Sequence, residues 1–311
     1  MKLKKPKFWD YGKPSLLAYI LLPFSYLVVL INFIKSKNQK KIEKIKTICI
    51  GNIYLGGTGK TPISINICEI LKNLDYKTAF IKKNYHDQVD EQKMLSSKGK
   101  LFCENNRVNA LKKAIDEKID IAILDDGLQD KKLKYDVSFV CFNAENPIGN
   151  GLVMPSGPLR ESLKSLKKYD GVFLNGNGEE ISKIKNIIKN INPSLSIFEA
   201  QYLPLNEKKF DKNQNYLTFS GIGNPNSFIK TLKKHNFKII KNLDFPDHYN
   251  YSNQDLMKIK EIAKKINAKI ITTEKDYNRL DRSSAEDIEY LKVKLKVLNE
   301  KELISFLNKK L

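Results

Sequence analysis

The run Lys46-Thr47-Ile48-Cys49-Ile50 and the stretch GNIYLGGTGKTP that follows it (51–62) constrain the fold more than any other part of the chain. A short apolar run suits a buried strand. Gly51, Gly56, Gly57 and Gly59 let backbone amides approach a ligand closely. Pro62 suits the first turn of a helix, where its missing N–H costs nothing. Ile63, Ile67, Ile70, Leu71 and Leu74 then continue at helical spacing. Strand, glycine-rich loop and helix, in that order, form the context of a Walker A phosphate loop. In such a loop the segment Gly56, Gly57, Thr58, Gly59, Lys60, Thr61 cradles nucleotide phosphates with its amides and the helix N-terminus. Lys60 reaches the β/γ-phosphates and Thr61 ligates Mg²⁺. One position departs from the strict motif: Tyr54 stands where a glycine is usual, five residues before Gly59. An ordinary glycine-rich turn is the plain alternative.

A phosphate loop calls for a second strand ending in acid. Residues 119–130 read IDIAILDDGLQD, with Ile121–Leu124 suited to a buried parallel strand. Asp125 and Asp126 stand at its carboxyl end, where open α/β sheets bind ligands, and an Asp there holds Mg²⁺ directly or through water. A strand-ending Asp-Gly turn is the alternative. From Ile45 onward, strands and amphipathic helices alternate, with strands expected at Phe80-Ile81, Ile121–Leu124, Val137–Phe142 and Gly171–Leu174. This is the pattern of an α/β, P-loop NTPase-like doubly wound parallel sheet. After the polar stretch NGNGEE (175–180) and a Lys/Ile helix to about Asn192, a second set begins. It comprises strands Tyr216–Ser220, Lys238–Ile240, Lys269–Thr272 and Lys294–Val297, with a helix over Phe228–His235. The expected organisation is an N-terminal helical segment (1–44), a phosphate-loop domain (45–192) and a second, smaller α/β domain (193–311).

Residues 16–34, LLAYILLPFSYLVVLINFI, carry no charge and have Lys2, Lys4, Lys5 and Lys7 before them and Lys35, Lys37, Lys40 and Lys41 after. The run is about long enough to span a bilayer at ~1.5 Å per residue. Pro23, Ser25 and Asn32 weaken a simple span, and basic residues on both sides set no orientation. A helix lying in one leaflet, its lysines on anionic headgroups, also fits, with Trp9, Tyr11, Tyr19 and Tyr26 at the interface. A buried core helix is the third possibility. A membrane-associated segment with the remainder in the cytoplasm is the reading adopted. Lys and Arg number 55 against 35 Asp and Glu, a formal charge of +20. That excess favours a polyanionic partner: nucleic acid, an anionic membrane or a phosphorylated substrate. Biased codon usage alone would also raise the lysine count. No nucleic-acid-binding module is present in the sequence. Cys49, Cys68, Cys103 and Cys141 lie far apart and form neither a disulfide framework nor a zinc site, which points to a reducing compartment.

Further motifs follow in order: VDEQKML (89–95), DDGLQD (125–130), GNGLVMPSGPLRESL (149–163), SGIGNP (220–225), FPDHYNYS (245–252) and TEKD (273–276). With the phosphate loop, they resemble the tetraacyldisaccharide 4′-kinases over nearly the whole chain. The resemblance implies an ATP- and Mg²⁺-dependent enzyme on the cytoplasmic face of the inner membrane of a Gram-negative bacterium. Its reaction would be transfer of the γ-phosphate to the 4′-hydroxyl of a tetraacyl glucosamine disaccharide 1-phosphate, forming lipid IVA in lipid A biosynthesis. The implied partners are the acylated disaccharide and anionic inner-membrane lipids, with no nucleic acid and no obligate protein partner.

Carried over by residue, the resemblance implies catalytic roles for Lys60, Asp90 and His248, with Asp90 beside the acceptor hydroxyl and His248 working with it. It implies a metal set of Thr61, Asp125, Asp126 and Glu91, and site roles for Gln129, Arg160 and Glu161. Phosphoryl transfer needs positioning, charge neutralisation and an oriented nucleophile. A carboxylate accepts the hydroxyl proton, a paired histidine orients it or shares the proton, and an arginine steadies a phosphate bidentately. Which of Asp90 and His248 is the base stays open. Each has a plain alternative: His248 as a helix-capping loop residue, Arg160-Glu161 as a surface ion pair, Asp90 as a solvated turn residue. His86 and His235 read as ordinary surface residues. The family's usual His after DDG-x-Q is Asp130 here, its RGYGR-like segment is Lys82-Lys83-Asn84-Tyr85-His86, and its Asp-Glu-Pro is Asp90-Glu91-Gln92. Asp90 is expected from the first domain and His248 from the second, so that closure assembles the site. Two other classes compete with this reading. A GTPase needs an Asn/Thr-Lys-x-Asp element, whose spacing TEKD lacks. A non-enzymatic lysine-rich binder would bind in a steeply salt-dependent way that ignores Lys60.

Overall fold

A computed structural model describes residues 5–36, 39–85, 88–130, 132–144, 147–176, 179–281 and 285–311. His86, the flanking Lys2, Lys4 and Lys37, and 177–178 of the NGNGEE stretch lie outside the described residues. The strands, apart from a two-residue pairing of Lys40–Lys41 with Leu133–Lys134, are β1 (Lys46–Gly51), β2 (Thr78–Lys83), β3 (Leu101–Glu104), β4 (Ile121–Asp125), β5 (Val137–Asn143), β6 (Gly171–Asn175), β7 (Ser196–Pro204), β8 (Asn215–Ser220), β9 (Lys238–Asp244), β10 (Lys269–Thr273), β11 (Ile288–Leu291) and β12 (Val293–Val297). They form an eight-stranded sheet of order β12-β7-β6-β5-β1-β4-β2-β3 and a four-stranded sheet of order β9-β8-β10-β11.

The chain divides into two compact units, and a single cut does not separate them. The larger comprises Leu3–Tyr85, Leu95–Gln201 and Leu295–Leu311; the smaller takes His86–Met94 and Tyr202–Lys294. Two expectations are corrected. The helix that carries Asp90 (Val89–Ser96) starts in the smaller unit, with His248, not in the phosphate-loop domain. Lys294–Val297, expected in the second domain, ends the chain's excursion: β12 pairs with β7 at the edge of the large sheet. The return is secured by apolar packing. Phe306, on the last helix (Glu300–Lys310), stacks 5.6 Å from Phe139 and 5.5 Å from Phe198.

In the larger unit β3 to β7 pair in parallel. A parallel sheet is covered on both faces, which is why β1, β4 and β6 are apolar runs without alternation, buried along almost their whole length. β1 lies at the centre, flanked by β4 and β5, so the strand order reverses about it and its carboxyl end opens a crevice. The helix Lys60–Lys72 leaves that end and buries Ile63, Ile67, Ile70 and Leu71 against the sheet; Leu74 falls just beyond it.

In the smaller unit the four strands are parallel. Here the period-two alternation shows: Tyr216 faces a core with Phe228, Leu232 and Phe237, while Leu217 and Phe219 face one with Leu256 and Ile259. The helices Pro225–Lys234 and Asn253–Lys265 supply those two covers. β8 stands between β9 and β10, which makes a second switch point at the ends of β8 and β10.

The apolar run 16–34 is two helices, Leu16–Ile20 and Leu22–Ser36, separated at Leu21. Among the described residues no helix is long and apolar enough to cross a membrane. The longer helix measures about 22 Å against a hydrocarbon core of about 30 Å. Ser25 and Asn32 face the protein: Ser25 Oγ donates to Val153 O at 2.7 Å, and Asn32 Nδ2 to Arg160 O at 3.3 Å. Trp9 Nε1 donates to Pro155 O at 2.9 Å. Leu16, Ile20, Phe24, Leu27, Leu30, Phe33 and Ile34 stay exposed.

Phe139 sits in β5 with its ring centroid 5.0 Å from that of Phe173 and is fully buried. Replacing it with alanine removes the common partner of Phe173, Phe198 and Phe306. Phe139→Ala is expected to lower the stability of the larger unit by about 3–5 kcal/mol, read from its urea unfolding midpoint.

Candidate active site

The phosphate loop is braced from three sides. Asn52 Nδ2 donates to Gly56 O at 3.1 Å, Leu55 N donates to Pro158 O at 2.9 Å, and Asn175 Nδ2 donates to Thr58 O. Tyr54 fits in place of glycine because it is extended there: it forms an antiparallel bridge with Leu159 and packs on Val153 and Leu159. The GPLRE block is thus laid along the first half of the loop, and Arg160 N donates to Ile53 O at 2.7 Å. Gly59 caps the helix Lys60–Lys72 at φ 80°, a left-handed conformation that favours glycine.

Among the described residues, the amides of Gly56, Gly57, Thr58, Gly59 and Lys60 donate to no carbonyl, and Thr58 Oγ1 is buried without a hydrogen-bond partner. Buried polar groups are normally satisfied, so this cluster of donors at a helix N-terminus fits a phosphate chain. Lys60 Nζ lies 3.7 Å from Asp126 Oδ1, and Arg160 Nη1 approaches the same oxygen at 3.6 Å. Arg160 Nη1 also donates to Gln129 Oε1 at 2.9 Å, and Gln129 Nε2 donates to Asn52 O at 2.7 Å. Arg160 and Glu161 point to different partners: Glu161 is buried, accepting from Tyr169 OH at 2.9 Å and pairing with Lys168 at 2.8 Å.

Asp125 is fully buried. Its Oδ2 accepts from Thr61 Oγ1 at 3.1 Å and from Lys82 Nζ at 2.7 Å, and its Oδ1 accepts from Ser64 Oγ at 3.1 Å. A carboxylate so engaged fits Mg²⁺ as an outer partner that orients Thr61 and metal-bound water, with Thr61 Oγ1 as the direct protein ligand. Among the described residues no group of three His, Cys, Asp or Glu side chains could hold a metal ion by itself. Most of the coordination would therefore come from phosphate oxygens and water, as is usual for Mg²⁺ at a nucleotide. Asp126 sits at φ 55° and its carbonyl accepts from Arg107 Nη2 at 2.7 Å. Asp130, the residue in place of the family's His, lies 3.5 Å from the same Arg107.

In the smaller unit a second cluster forms at the ends of β8 and β10. Asp90 and Glu91 lie in the first turn of the helix Val89–Ser96. Asp90 is buried, not a solvated turn residue. Its Oδ1 is 3.3 Å from His248 Nδ1, and its Oδ2 accepts from Arg279 Nη2 at 2.7 Å with Lys275 Nζ at 3.5 Å. Glu91 Oε1 accepts from Lys275 Nζ at 3.0 Å and lies 3.9 Å from His248 Nε2. His248 does not cap the next helix; Ser252 does, in a capping box with Asp255. Six described residues other than glycine have positive φ. Four of them, Asp75, Lys118, Asn236 and Asn267, follow helix ends, where such a conformation is routine. The other two are Asp126 and His248, both expected at the site.

The sequence reading gives no site role to Lys82, Lys275, Arg279 or Tyr251. A lysine inside the buried strand TAFIKK was the available signal for the first, since a buried ammonium requires an acid. Asp276 of TEKD is fully buried, accepting from Gly221 N, Tyr251 OH and Thr273 Oγ1, so it is committed internally and not presented to a base. His235, read as an ordinary surface residue, pairs with Glu207 at 2.6 Å and is three-quarters covered. Cys49, Cys68 and Cys141 are free and buried.

Burial alone would push the Asp90 carboxyl up, but His248, Lys275 and Arg279 together outweigh it and hold the group well below the usual carboxylate range. A carboxyl with a depressed folded-state pKa contributes stability above its unfolded value and loses it as pH falls. The advantage of wild type over Asp90→Asn should therefore be full above about pH 5 and shrink steadily toward pH 3. Urea midpoints across that range measure it, and a constant gap would contradict the pairing.

A family described as Tetraacyldisaccharide-1-P 4′-kinase (LpxK) matches residues 17–311. The tetraacyldisaccharide 4′-kinase of Pelagibacter ubique (strain HTCC1062) is 54% identical over 309 residues, covering 99% of this chain and 98% of that protein. The protein of the same name from Rickettsia bellii (strain OSU 85-389) is 36% identical over 331 residues, covering 100% and 99%. The crystal structure of "apo" form LpxK from Aquifex aeolicus in complex with ATP shares the fold, with TM-score 0.68 and 24% identity over 94% of this chain and 99% of that one. On these matches, and with the phosphate loop in the context its sequence required, this chain belongs to the tetraacyldisaccharide-1-P 4′-kinase family.

Proposed function

We propose that this chain transfers the γ-phosphate of ATP to the 4′-hydroxyl of a tetraacyl glucosamine disaccharide 1-phosphate, the step that yields lipid IVA in lipid A biosynthesis. The observation that carries this reading beyond family membership is the set of unengaged amides at Gly56–Lys60 beside the Lys60–Asp126–Arg160 cluster. Lys60 and the loop amides hold the β- and γ-phosphates, and Arg160, released from Asp126, steadies the group in transfer. Thr61 would hold Mg²⁺ with Asp125 orienting it, and Asp126 is the second acid of that strand end, whereas Glu91, implied by the resemblance as a metal ligand, accepts from Lys275 within the smaller unit. When bound, Mg²⁺ neutralises charge on the phosphate oxygens. Gln129 fixes Arg160, and Glu161 anchors the block that carries it through Tyr169. Asp90 and His248 orient the acceptor hydroxyl and take up its proton. Both lie in one unit, so the pair exists as such before any closure.

The acceptor carries acyl chains. Support for a place on the cytoplasmic face of the inner membrane comes from the exposed apolar side of the helices Leu16–Ile20 and Leu22–Ser36 and from the charge of +20. We read these helices as lying in one leaflet, with Ser25 and Asn32 turned to the protein and lysines toward anionic headgroups.

The test is labelled-phosphate transfer from ATP to the tetraacyl disaccharide 1-phosphate in detergent micelles, with and without Mg²⁺. Wild type should transfer only with Mg²⁺. Lys60→Ala should lose roughly 10²–10³-fold in kcat, since it removes charge directed at the transferring group. A folded wild type that binds ATP but phosphorylates no disaccharide would refute the acceptor.

A further inference from the structure

The Asp90–His248 pair is held by a group to which the family resemblance assigned no role. Arg279 is buried, with only 7% of its side chain exposed. Its Nη2 donates to Asp90 Oδ2 at 2.7 Å. Its Nη1 donates to Gly221 O at 2.8 Å and to Asp276 Oδ1 at 2.9 Å. Gly221 O also accepts the backbone N–H of His248, at 3.0 Å. One planar guanidinium therefore touches the carboxylate that faces the imidazole, and also the carbonyl that tethers the histidine's backbone. Asp276 closes the arrangement by accepting from Gly221 N at 3.0 Å.

This arrangement accounts for the backbone of His248. A non-glycine residue at φ 56° costs free energy and persists only where its surroundings over-determine it. It also fixes the ring. Asp90 Oδ1 stands 3.3 Å from Nδ1, and Lys275 Nζ stands 3.4 Å from Nε2. Arg279 Nη2 itself stands 3.4 Å from the same Nδ1, so the guanidinium touches the ring as well as the groups that hold it.

We propose that Arg279 is the positioning residue of this pair: its forked contacts lock the Asp90 rotamer and the His248 backbone together, and so hold the imidazole in one place and one orientation beside the carboxylate. The proposal rests on the reading that Asp90 and His248 serve the acceptor hydroxyl. Lysine cannot replace the fork, because a single ammonium does not present two donors in one plane to two separated acceptors.

The experiment combines ring spectra with kinetics. The chain has three histidines, so ¹⁵N-histidine labelling gives a simple ¹H–¹⁵N spectrum in which His248→Gln assigns the signal. Wild type should show one sharp set of His248 ring signals. Arg279→Ala should shift and broaden those ring signals, with kcat down about 100-fold and KM for ATP within about twofold. Arg279→Lys should shift and broaden them too, with kcat down at least about tenfold. If Arg279→Ala does not fold, Arg279→Lys decides by the same two readouts. A folded variant that keeps the wild-type ring signal would overturn the proposal. If wild type transfers nothing to the disaccharide, the acceptor assignment falls, and the ring spectra alone still decide the role of Arg279.

Discussion

A charge placed in the interior has to be answered there, and the larger unit is organised about one such charge. Asp125 has no solvent contact, and its ion pair with Lys82 is closed at 2.7 Å with both side chains at or below 1% exposure. Such a pair adds little net stability, yet removing one partner strands the other at a cost of several kcal/mol. What it contributes is register. Lys82 is the penultimate residue of β2, Asp125 ends β4, and Thr61 and Ser64 lie in the first turn or so of the helix after β1, so a single carboxylate fixes three neighbouring elements at the level of the phosphate loop.

The smaller unit repeats the device with different chemistry. Asp276 follows β10 as Asp125 ends β4, each beside a point where strand order reverses, and each is saturated by donors from adjoining elements. Burial raises the Asp276 carboxyl above the ordinary range in spite of Thr273, Arg279, the Gly221 amide and Tyr251. Asp90 is answered by three cationic or hydrogen-bonding neighbours and is held low. Two carboxylates on one guanidinium thus carry opposite shifts. The one shielded from water serves as an anchor, and the one facing His248 keeps its charge.

What was legible in the sequence was local. The strand, glycine loop and helix at 46–72 appear as their spacing requires, because phosphate-loop chemistry is written in consecutive residues. Asp125 and Asp126 were legible for the same reason. The partners that make these residues work were not, since they lie far off in the chain, 43 positions away for Lys82 and Asp125 and 189 for Arg279 and Asp90. The unit that holds Asp90 was hidden in the same way: its helix is an eight-residue insertion between β2 and β3, with nothing local to mark its allegiance. The run 16–34 is long enough by count to suggest a span, but it folds as two helices. Its two polar residues, which had counted against a span, are the ones that hold it to the protein.

Those same contacts bear on how the molecule meets a greasy surface. Ser25 grips Val153 and Ser156, Asn32 grips the carbonyl of Arg160, and Trp9 grips Pro155, all within the block that lies along the phosphate loop. The apolar helices are therefore bolted to the loop rather than leashed to it. A leash of flexible chain would let the reacting groups wander at varying altitude above whatever takes up Leu16, Phe24 and Phe33. On the proposal that these helices lie in one leaflet, a bolt sets that altitude once, in the fold itself, and an acceptor anchored in the same layer would meet the phosphate loop at a fixed depth.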